Sequence, residues 1–376
     1  MGIQPRQFFR LLVNNKVDFF TGVPDSLLKQ LCLCIDANVS SDKHIIAANE
    51  GNAIALATGY HLGTSKIALV YMQNSGLGNA INPLLSLADK DVYSIPMVLI
   101  VGWRGEPGVK DEPQHVKQGK IQLDLLDAIN LPYDIISADD IGWQLKIKKG
   151  IDKAVSDNRP YAIVVKKGTF EKYDVIEENF NTELMLREEA LEILLEHIPN
   201  DAVIVSTTGK TSREIFEIRE KNNEPHFKDF LTVGSMGHCS SIALGIALAQ
   251  PERKVICIDG DGAFLMHMGS LAAIGKSQPK NLYHILMNNF VHESVGGQQT
   301  AIDSIDVQGI IRSAKYINII GVDSHEDLSK NIPGFLKEDG PSFLEIKLKP
   351  GSRNDLGRPT ISPVDNKRNL VEFLKK

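Results

Sequence analysis

Two apolar stretches of this chain run into residues that could hold a cation. Val255–Ile258 leads into Asp259-Gly260-Asp261-Gly262, and Leu282–Met287 leads into Asn288-Asn289. The pattern reads as strand, tight glycine turn, helix, strand, with a carboxylate at one strand end and amides at the next. In a parallel sheet both ends lie at the carboxyl edge, where ligands bind. One carboxylate, one amide carbonyl and free backbone groups are hard oxygen donors, suited to Mg²⁺ carrying a phosphate ligand. The glycines let backbone amides at the start of the following helix approach an anion closely. An Asp-Gly pair alone is usually a plain turn. The 25 residues from Ala263 to Met287 join the two halves into one arrangement.

The elements that must position these residues occur twice, at an offset of roughly 185 residues, a period that suits duplicated domains rather than a solenoid. In the first half Glu50–Leu62 reads as a small-residue helix and Ile67–Tyr71 as a strand. Gly76-Leu77-Gly78, a helix around Ala80–Ala88 and strand Pro96–Val101 follow. In the second half the same series is helix Met236–Ala249, strand Val255–Ile258, Gly260-Asp261-Gly262, a helix around Phe264–Gly275 and strand Leu282–Met287. Alternating short apolar strands and amphipathic helices predict an α/β protein of two doubly wound parallel-sheet domains. The pattern matches Leu77 to Asp261 and Gly102-Trp103 to the Asn pair, so only the second half keeps cation chemistry. The polar stretch 171–183 reads as a linker between domains 1–170 and 184–376.

Composition narrows the function classes. The 376 residues are 43% hydrophobic, enough for substantial cores, and the net charge of −6 argues against a nucleic-acid partner. The four cysteines, Cys32, Cys34, Cys239 and Cys257, form no CxxC pair and read as reduced interior thiols. No apolar signal core follows the N-terminus, and no run approaches the roughly 20 residues that cross a bilayer. A cytoplasmic protein with no membrane partner is expected. A dinucleotide oxidoreductase is disfavoured, because no GxGxxG follows a first strand.

The GDG…NN arrangement resembles the diphosphate-anchoring motif of thiamin diphosphate (ThDP) enzymes. The two-domain layout is similar to the pyrimidine-binding and diphosphate-binding domains of ThDP-dependent 2-oxo acid decarboxylases, over nearly the whole chain and without the middle domain of larger members. That resemblance implies ThDP and Mg²⁺ as cofactors. Glu50, in Ala48-Asn49-Glu50-Gly51-Asn52-Ala53, fits the family's catalytic glutamate, which hydrogen-bonds an aminopyrimidine ring nitrogen. Asn49 as a helix cap, with Glu50 favouring the helix dipole, is the plain structural alternative. Gly234-Ser235-Met236-Gly237 resembles the segment that grips the middle of the cofactor, with Met236 between its rings. Gly260, Gly262 and Ala263 would meet the diphosphate, and Thr207-Thr208-Gly209-Lys210-Thr211 resembles a further diphosphate-side loop, with Thr208 as its binding residue. The family implies Asp261, Asn289 and the Val291 carbonyl as metal ligands; spacing alone leaves Asn288 open. Since Glu50 and Asp261 fall in different domains, the resemblance also implies a homodimer or homotetramer sharing its cofactor between subunits.

Within that family, three passages resemble the branch acting on phosphonopyruvate: Gly22-Val23-Pro24-Asp25-Ser26, Arg104-Gly105-Glu106-Pro107, and Asn288 through Gln298. The implied substrate is a 2-oxo acid with a second anionic group. Sulfopyruvate decarboxylase and a ThDP carboligase are the alternatives, and a single fused chain tilts the choice toward phosphonate. Asp25, in a proline turn after a strand, is expected to protonate the reacting carbon, with His115 as its proton-handling companion. Arg104, His115, Lys120 and His292 are the expected substrate contacts. The stretch holding Arg104, Lys110, His115, Lys117 and Lys120 reads as a loop-rich lid, although Glu106, Asp111 and Glu112 nearly balance its charge.

Overall fold

The structure, a computed structural model, describes residues 2–174 and 183–376. The expected linker falls mostly on residues 175–182, outside the described residues. The chain divides into two compact units, Met1–Glu177 with Ser294–Gln298, and Glu178–Glu293 with Gln299–Lys376.

In the first unit, β1 (Phe20–Gly22), β2 (His44–Ile46), β3 (Ala68–Gln73), β4 (Met97–Gly102), β5 (Tyr133–Ile136) and β6 (Pro160–Val165) form one parallel sheet. Their order is β2-β1-β3-β4-β6-β5. Alternate residues of one strand point to opposite faces, and the packing follows that rule. Leu69, Tyr71, Val98 and Ile100 join a core with Phe8, Leu31 and Trp143, whereas Val70, Met72, Leu99 and Val101 join another with Ile54, Ala57 and Leu126. Every residue of β4 and β6 is buried, the mark of a parallel sheet covered on both faces.

The second unit repeats the plan. β7 (Val203–Ser206), β8 (Asp229–Leu231), β9 (Val255–Gly260), β10 (Leu282–Asn288), β11 (Asn318–Val322) and β12 (Ser342–Lys347) run parallel in the order β11-β12-β10-β9-β7-β8. Read from its other edge, this order is β8-β7-β9-β10-β12-β11, the same winding as the first sheet strand for strand. The two predicted doubly wound sheets are both present.

The strand register revises the match between the halves. β3 opens opposite β4 at Ala68↔Met97, and β9 opens opposite β10 at Val255↔Leu282. With these starts aligned, Asn74 and not Leu77 corresponds to Asp261, and Trp103-Arg104 correspond to Asn288-Asn289. The glycine pairs Gly76/Gly78 and Gly260/Gly262 invite the Leu77 match, but they lie at different distances from the strand starts, and Gly260 closes β9 whereas Gly76 sits in the turn after β3. Three helices also differ from expectation. Left-handed Ser235 (φ 54°) and Gly237 (φ 83°) keep Gly234–Gly237 as a loop, so the helix there is Cys239–Ala249. The span 264–275 is broken into Asp261–Met266 and Ser270–Ser277. Pro83, which has no N–H to donate, ends the helix Leu77–Pro83 before a wider turn over Leu84–Ala88.

Candidate active site

At the carboxyl edge of the first sheet, Glu50 opens the helix Glu50–Thr64, and the Asn49 side chain caps it by accepting from Asn52 N at 2.9 Å. The cap and the buried carboxylate coexist. Asn79 Nδ2 donates to Glu50 Oε2 at 2.8 Å, a partner the sequence did not signal. Gly76 makes room for this carboxylate, since a Cβ there would stand 2.3 Å from Glu50 Oε1.

Asp25 follows β1 and is fully buried. Burial pushes its carboxyl up to about 6, against the opposing pull of Arg104 and of the Ser26, Leu27 and Leu28 backbone N–H groups. Its Oδ1 has no hydrogen-bond partner, while Oδ2 accepts from Leu27 N at 3.2 Å. Gly102 is needed here, because a Cβ would stand 2.1 Å from Asp25 Oδ2. Arg104 Nε donates to Asp111 Oδ2 at 2.8 Å, its Nη2 pairs with Asp111 Oδ1, and its Nη1 donates to Ser26 Oγ at 3.0 Å. Asp111 therefore holds the guanidinium beside Asp25, and in return its own carboxyl sits at about 2. The sequence did not reveal this pairing, which joins residues seven apart across a loop.

The expected lid is half loop and half helix. Pro113 begins the helix Pro113–Ala128, and Trp103 Nε1 pins it by donating to Gly119 O at 2.9 Å. His115 is buried on its inner face, where burial and the charge of Arg104 lower its pKa to about 4. The shift favours the neutral imidazole. Gln118 and Gln122 share its face, and His115 Nδ1, Gln118 Oε1 and both Gln122 amide atoms are buried without partners. Buried polar atoms are normally satisfied, so this stripe, unmarked in the sequence, is ready for a polar ligand. Lys120 lies about 140° further round the helix and is exposed. The structure does not bring it to this group.

At the edge of the second sheet, Asp261 is buried at the end of β9, and burial raises its carboxyl to about 7. Gly262 N donates to its Oδ1 at 2.7 Å and Thr300 Oγ1 to its Oδ2 at 3.1 Å. In both amides the oxygen accepts from the backbone N–H two residues on, Asn288 Oδ1 from Phe290 N at 3.3 Å and Asn289 Oδ1 from Val291 N at 3.4 Å; they differ in the carboxylate that each Nδ2 meets. Asn288 is the last residue of β10, and its Nδ2 donates to Glu345 Oε1 on the next strand. Asn289 Nδ2 donates instead to Glu293 Oε2 at 2.9 Å. Arg187 and Lys210 hold Glu293 at 2.7 and 3.0 Å, and Glu214 in turn grips Arg187 at 2.6 and 2.8 Å. Lys210 is thus an ion-pair partner, not a solvated turn residue, and Glu293 is the hub of the network. Phe290 takes a left-handed φ of 64°, a conformation rare outside glycine and frequent at functional loops. The Val291 carbonyl accepts from Glu293 N at 2.9 Å, which leaves its second lone pair.

Met236 and His292 converge on Gly262. A Cβ at that glycine would lie 2.7 Å from the His292 ring and 3.2 Å from Met236 Cε. Burial lowers the His292 pKa to about 4. Ala263 is buried, whereas Gly234, Thr208 and Gly260 are half-buried at the ends of β8, β7 and β9. A buried, raised carboxylate beside an orientable amide carbonyl is the donor set a hard cation satisfies, so these residues fit a metal–diphosphate group.

The thiamine pyrophosphate enzyme N-terminal TPP binding domain family matches residues 5–128, and the C-terminal TPP binding domain family matches 207–346. The phosphonopyruvate decarboxylase of Streptomyces viridochromogenes is 35% identical, covering 94% of this chain and 90% of its own. That of Streptomyces hygroscopicus is 33% identical over 94% and 89%. The sulfopyruvate decarboxylase of Methanosarcina acetivorans is 28% identical over 95% and 94%. This last relative is matched nearly end to end by the one chain, so a fused chain does not separate the two branches; identity does. The chain belongs to the phosphonopyruvate decarboxylase family of thiamine pyrophosphate enzymes.

Proposed function

We propose that the protein catalyses ThDP- and Mg²⁺-dependent decarboxylation of 3-phosphonopyruvate to phosphonoacetaldehyde and CO₂, with uptake of one proton, a step in 2-aminoethylphosphonate biosynthesis. Bound ThDP supplies the electron sink for the departing carboxylate. Glu50, with Oε2 held by Asn79, would hydrogen-bond the cofactor's ring nitrogen. Asp261, the Asn289 amide oxygen and the Val291 carbonyl hold Mg²⁺, with Gly260, Gly262, Ala263 and Thr208 around the diphosphate. Gly234 and Met236 support the middle of the cofactor.

The observation that carries this reading is Asp25 beside Arg104. A carboxyl held at about 6 keeps a deliverable proton near neutral pH, and the adjacent guanidinium receives an anion. The unpartnered atoms of His115, Gln118 and Gln122 are suited to the remaining oxygens of a phosphonate. His292 borders the Gly262 end.

The test is turnover of phosphonopyruvate, sulfopyruvate and pyruvate by the ThDP- and Mg²⁺-loaded protein. Phosphonopyruvate should give the highest kcat/KM. Preference for sulfopyruvate would move the protein to the other branch, and preference for pyruvate would overturn the dianion site. The family resemblance further supports a homodimer or homotetramer, to be measured by light scattering. No helix among the described residues is long and apolar enough to cross a membrane, which is consistent with the proposed cytoplasmic location.

A further inference from the structure

A second group of ligating side chains lies in the second unit, behind the strand that carries Asp261. Cys257 and Asp259 alternate along β9 and so share a face. His284 stands beside Cys257 in the β9–β10 register. Cys239 opens the helix Cys239–Ala249, which packs on the same face. All four are essentially sealed from solvent, with exposures of 2% for Cys239, 0% for Cys257, 1% for Asp259 and 1% for His284. Two thiols, a carboxylate and an imidazole in a sheet core call for an explanation, because buried charges are normally paired or bound to metal.

We infer that Cys239, Cys257, Asp259 and His284 form a structural site for a thiophilic divalent cation of the zinc class. One ligand atom from each of Cys239, Cys257 and Asp259 lies within 4.8 Å of the others. The two sulfurs are 3.8 Å apart; tetrahedral Zn–S bonds of about 2.3 Å would set them about 3.8 Å apart. His284 supplies the second, independent indication. Its Nε2 is buried without a hydrogen-bond partner, 3.5 Å from Asp259 Oδ2. Its Nδ1 lies 3.2 Å from Tyr316 Oη. Donation from Nδ1–H to Tyr316 leaves the Nε2 lone pair facing the carboxylate, the arrangement by which an outer partner orients a metal-bound histidine.

The donor set separates this site from the one at Asp261. Thiolate and imidazole select zinc-class ions, whereas carboxylate and carbonyl oxygens select Mg²⁺. Three mutually close ligand atoms, with His284 Nε2 3.5 Å from the carboxylate to complete the set and no solvent path, describe a closed, structural centre rather than a catalytic one. It would clamp the helix Cys239–Ala249, which follows the Met236 loop, to β9 and β10.

Because the group is sealed, the ion must enter as the chain folds. The full-length protein is therefore expressed in cobalt-supplemented minimal medium and purified with ThDP and Mg²⁺ present. A sulfur-to-cobalt charge-transfer band in the near ultraviolet, with visible bands of tetrahedral intensity, is expected. Cys239→Ala and Cys257→Ala should abolish it, and Cys32→Ala should retain it. Oxygen ligation at Asp261 cannot produce this band. Should a cysteine variant fail to fold, ¹¹³Cd-substituted wild-type protein decides without mutation: a resonance in the mixed sulfur–nitrogen–oxygen range supports the site. Folded protein that carries no sulfur-ligated ion, or a band that survives both cysteine substitutions, overturns it.

Discussion

The side-chain amide of Asn289 donates to Glu293 at 2.9 Å, and Glu293 is itself gripped by Arg187 and Lys210. An amide has one donor end and one acceptor end, so fixing Nδ2 on Glu293 fixes where Oδ1 points. The neighbouring Asn288 spends its amide on Glu345 inside the sheet. Asn288 is thus tied to the sheet and Asn289 to the Glu293 network, and the proposed role of Asn289 as metal ligand depends on that network.

Removing the orienting partner should therefore weaken the metal site without touching a ligand. Glu293→Gln is expected to lower Mg²⁺ affinity by about 10- to 100-fold, the usual cost of losing an outer-shell partner. Mg²⁺ titration of ThDP binding, followed by protein fluorescence, measures it. An unchanged midpoint would detach Glu293 from the metal loop.

Asp261→Ala should abolish metal-dependent ThDP binding, read by calorimetry with Mg²⁺ and again with chelator. Equal affinity for wild type and variant in both conditions contradicts the assignment.

Glu50→Gln keeps the shape of the side chain and its contact with Asn79, but replaces the acid. ThDP binding should persist while kcat falls by about 10²- to 10⁴-fold, the range for a positioned proton-transfer group. Near-normal turnover would remove Glu50 from the reaction.

Asp25 trades stability for function. Its carboxyl rises from 3.8 to about 6 on folding, so the native state binds the proton more tightly than the unfolded chain. Stability linked to this group is complete below pH 4 and is lost as pH climbs through about 6. Above that, the buried carboxylate costs on the order of 3 kcal/mol. Asp25→Asn should raise Tm relative to wild type at pH 8, with the gap closing toward pH 4, while kcat falls. A variant no more stable than wild type at pH 8 would show that the native site tolerates the charge.

Arg104→Gln should raise KM for phosphonopyruvate by roughly 10- to 100-fold, as expected for losing a charged hydrogen bond of about 1.5–3 kcal/mol. Pyruvate, which lacks the second anion, should be affected much less. Equal losses on both substrates would place Arg104 in scaffolding rather than in recognition.

Much of this was readable in one dimension. Short apolar runs alternating with amphipathic helices announced two parallel α/β sheets, because such strands can bury both faces only under helices on each side. The Asp261 turn and the Asn288-Asn289 pair stood out because each follows an apolar strand with oxygen donors of the kind a hard cation takes. Helix boundaries were less legible. Left-handed Ser235 and Gly237 delay one helix by three residues, and strand propensity does not show that β3 continues to Gln73.

Local chemistry along the chain determined the fold class, the cofactor family and the identity of the principal acids, since each depends on residue types within one strand–turn–helix unit. Only tertiary structure decided how those acids are tuned. Asp25 is poised by burial beside an arginine that Asp111 holds, Asn289 is aimed by a glutamate gripped from two other helices, and Lys120 is carried away by helical rotation. Desolvation and charge pairing act through space between groups far apart in sequence. Those distances exist only once the chain has closed around them.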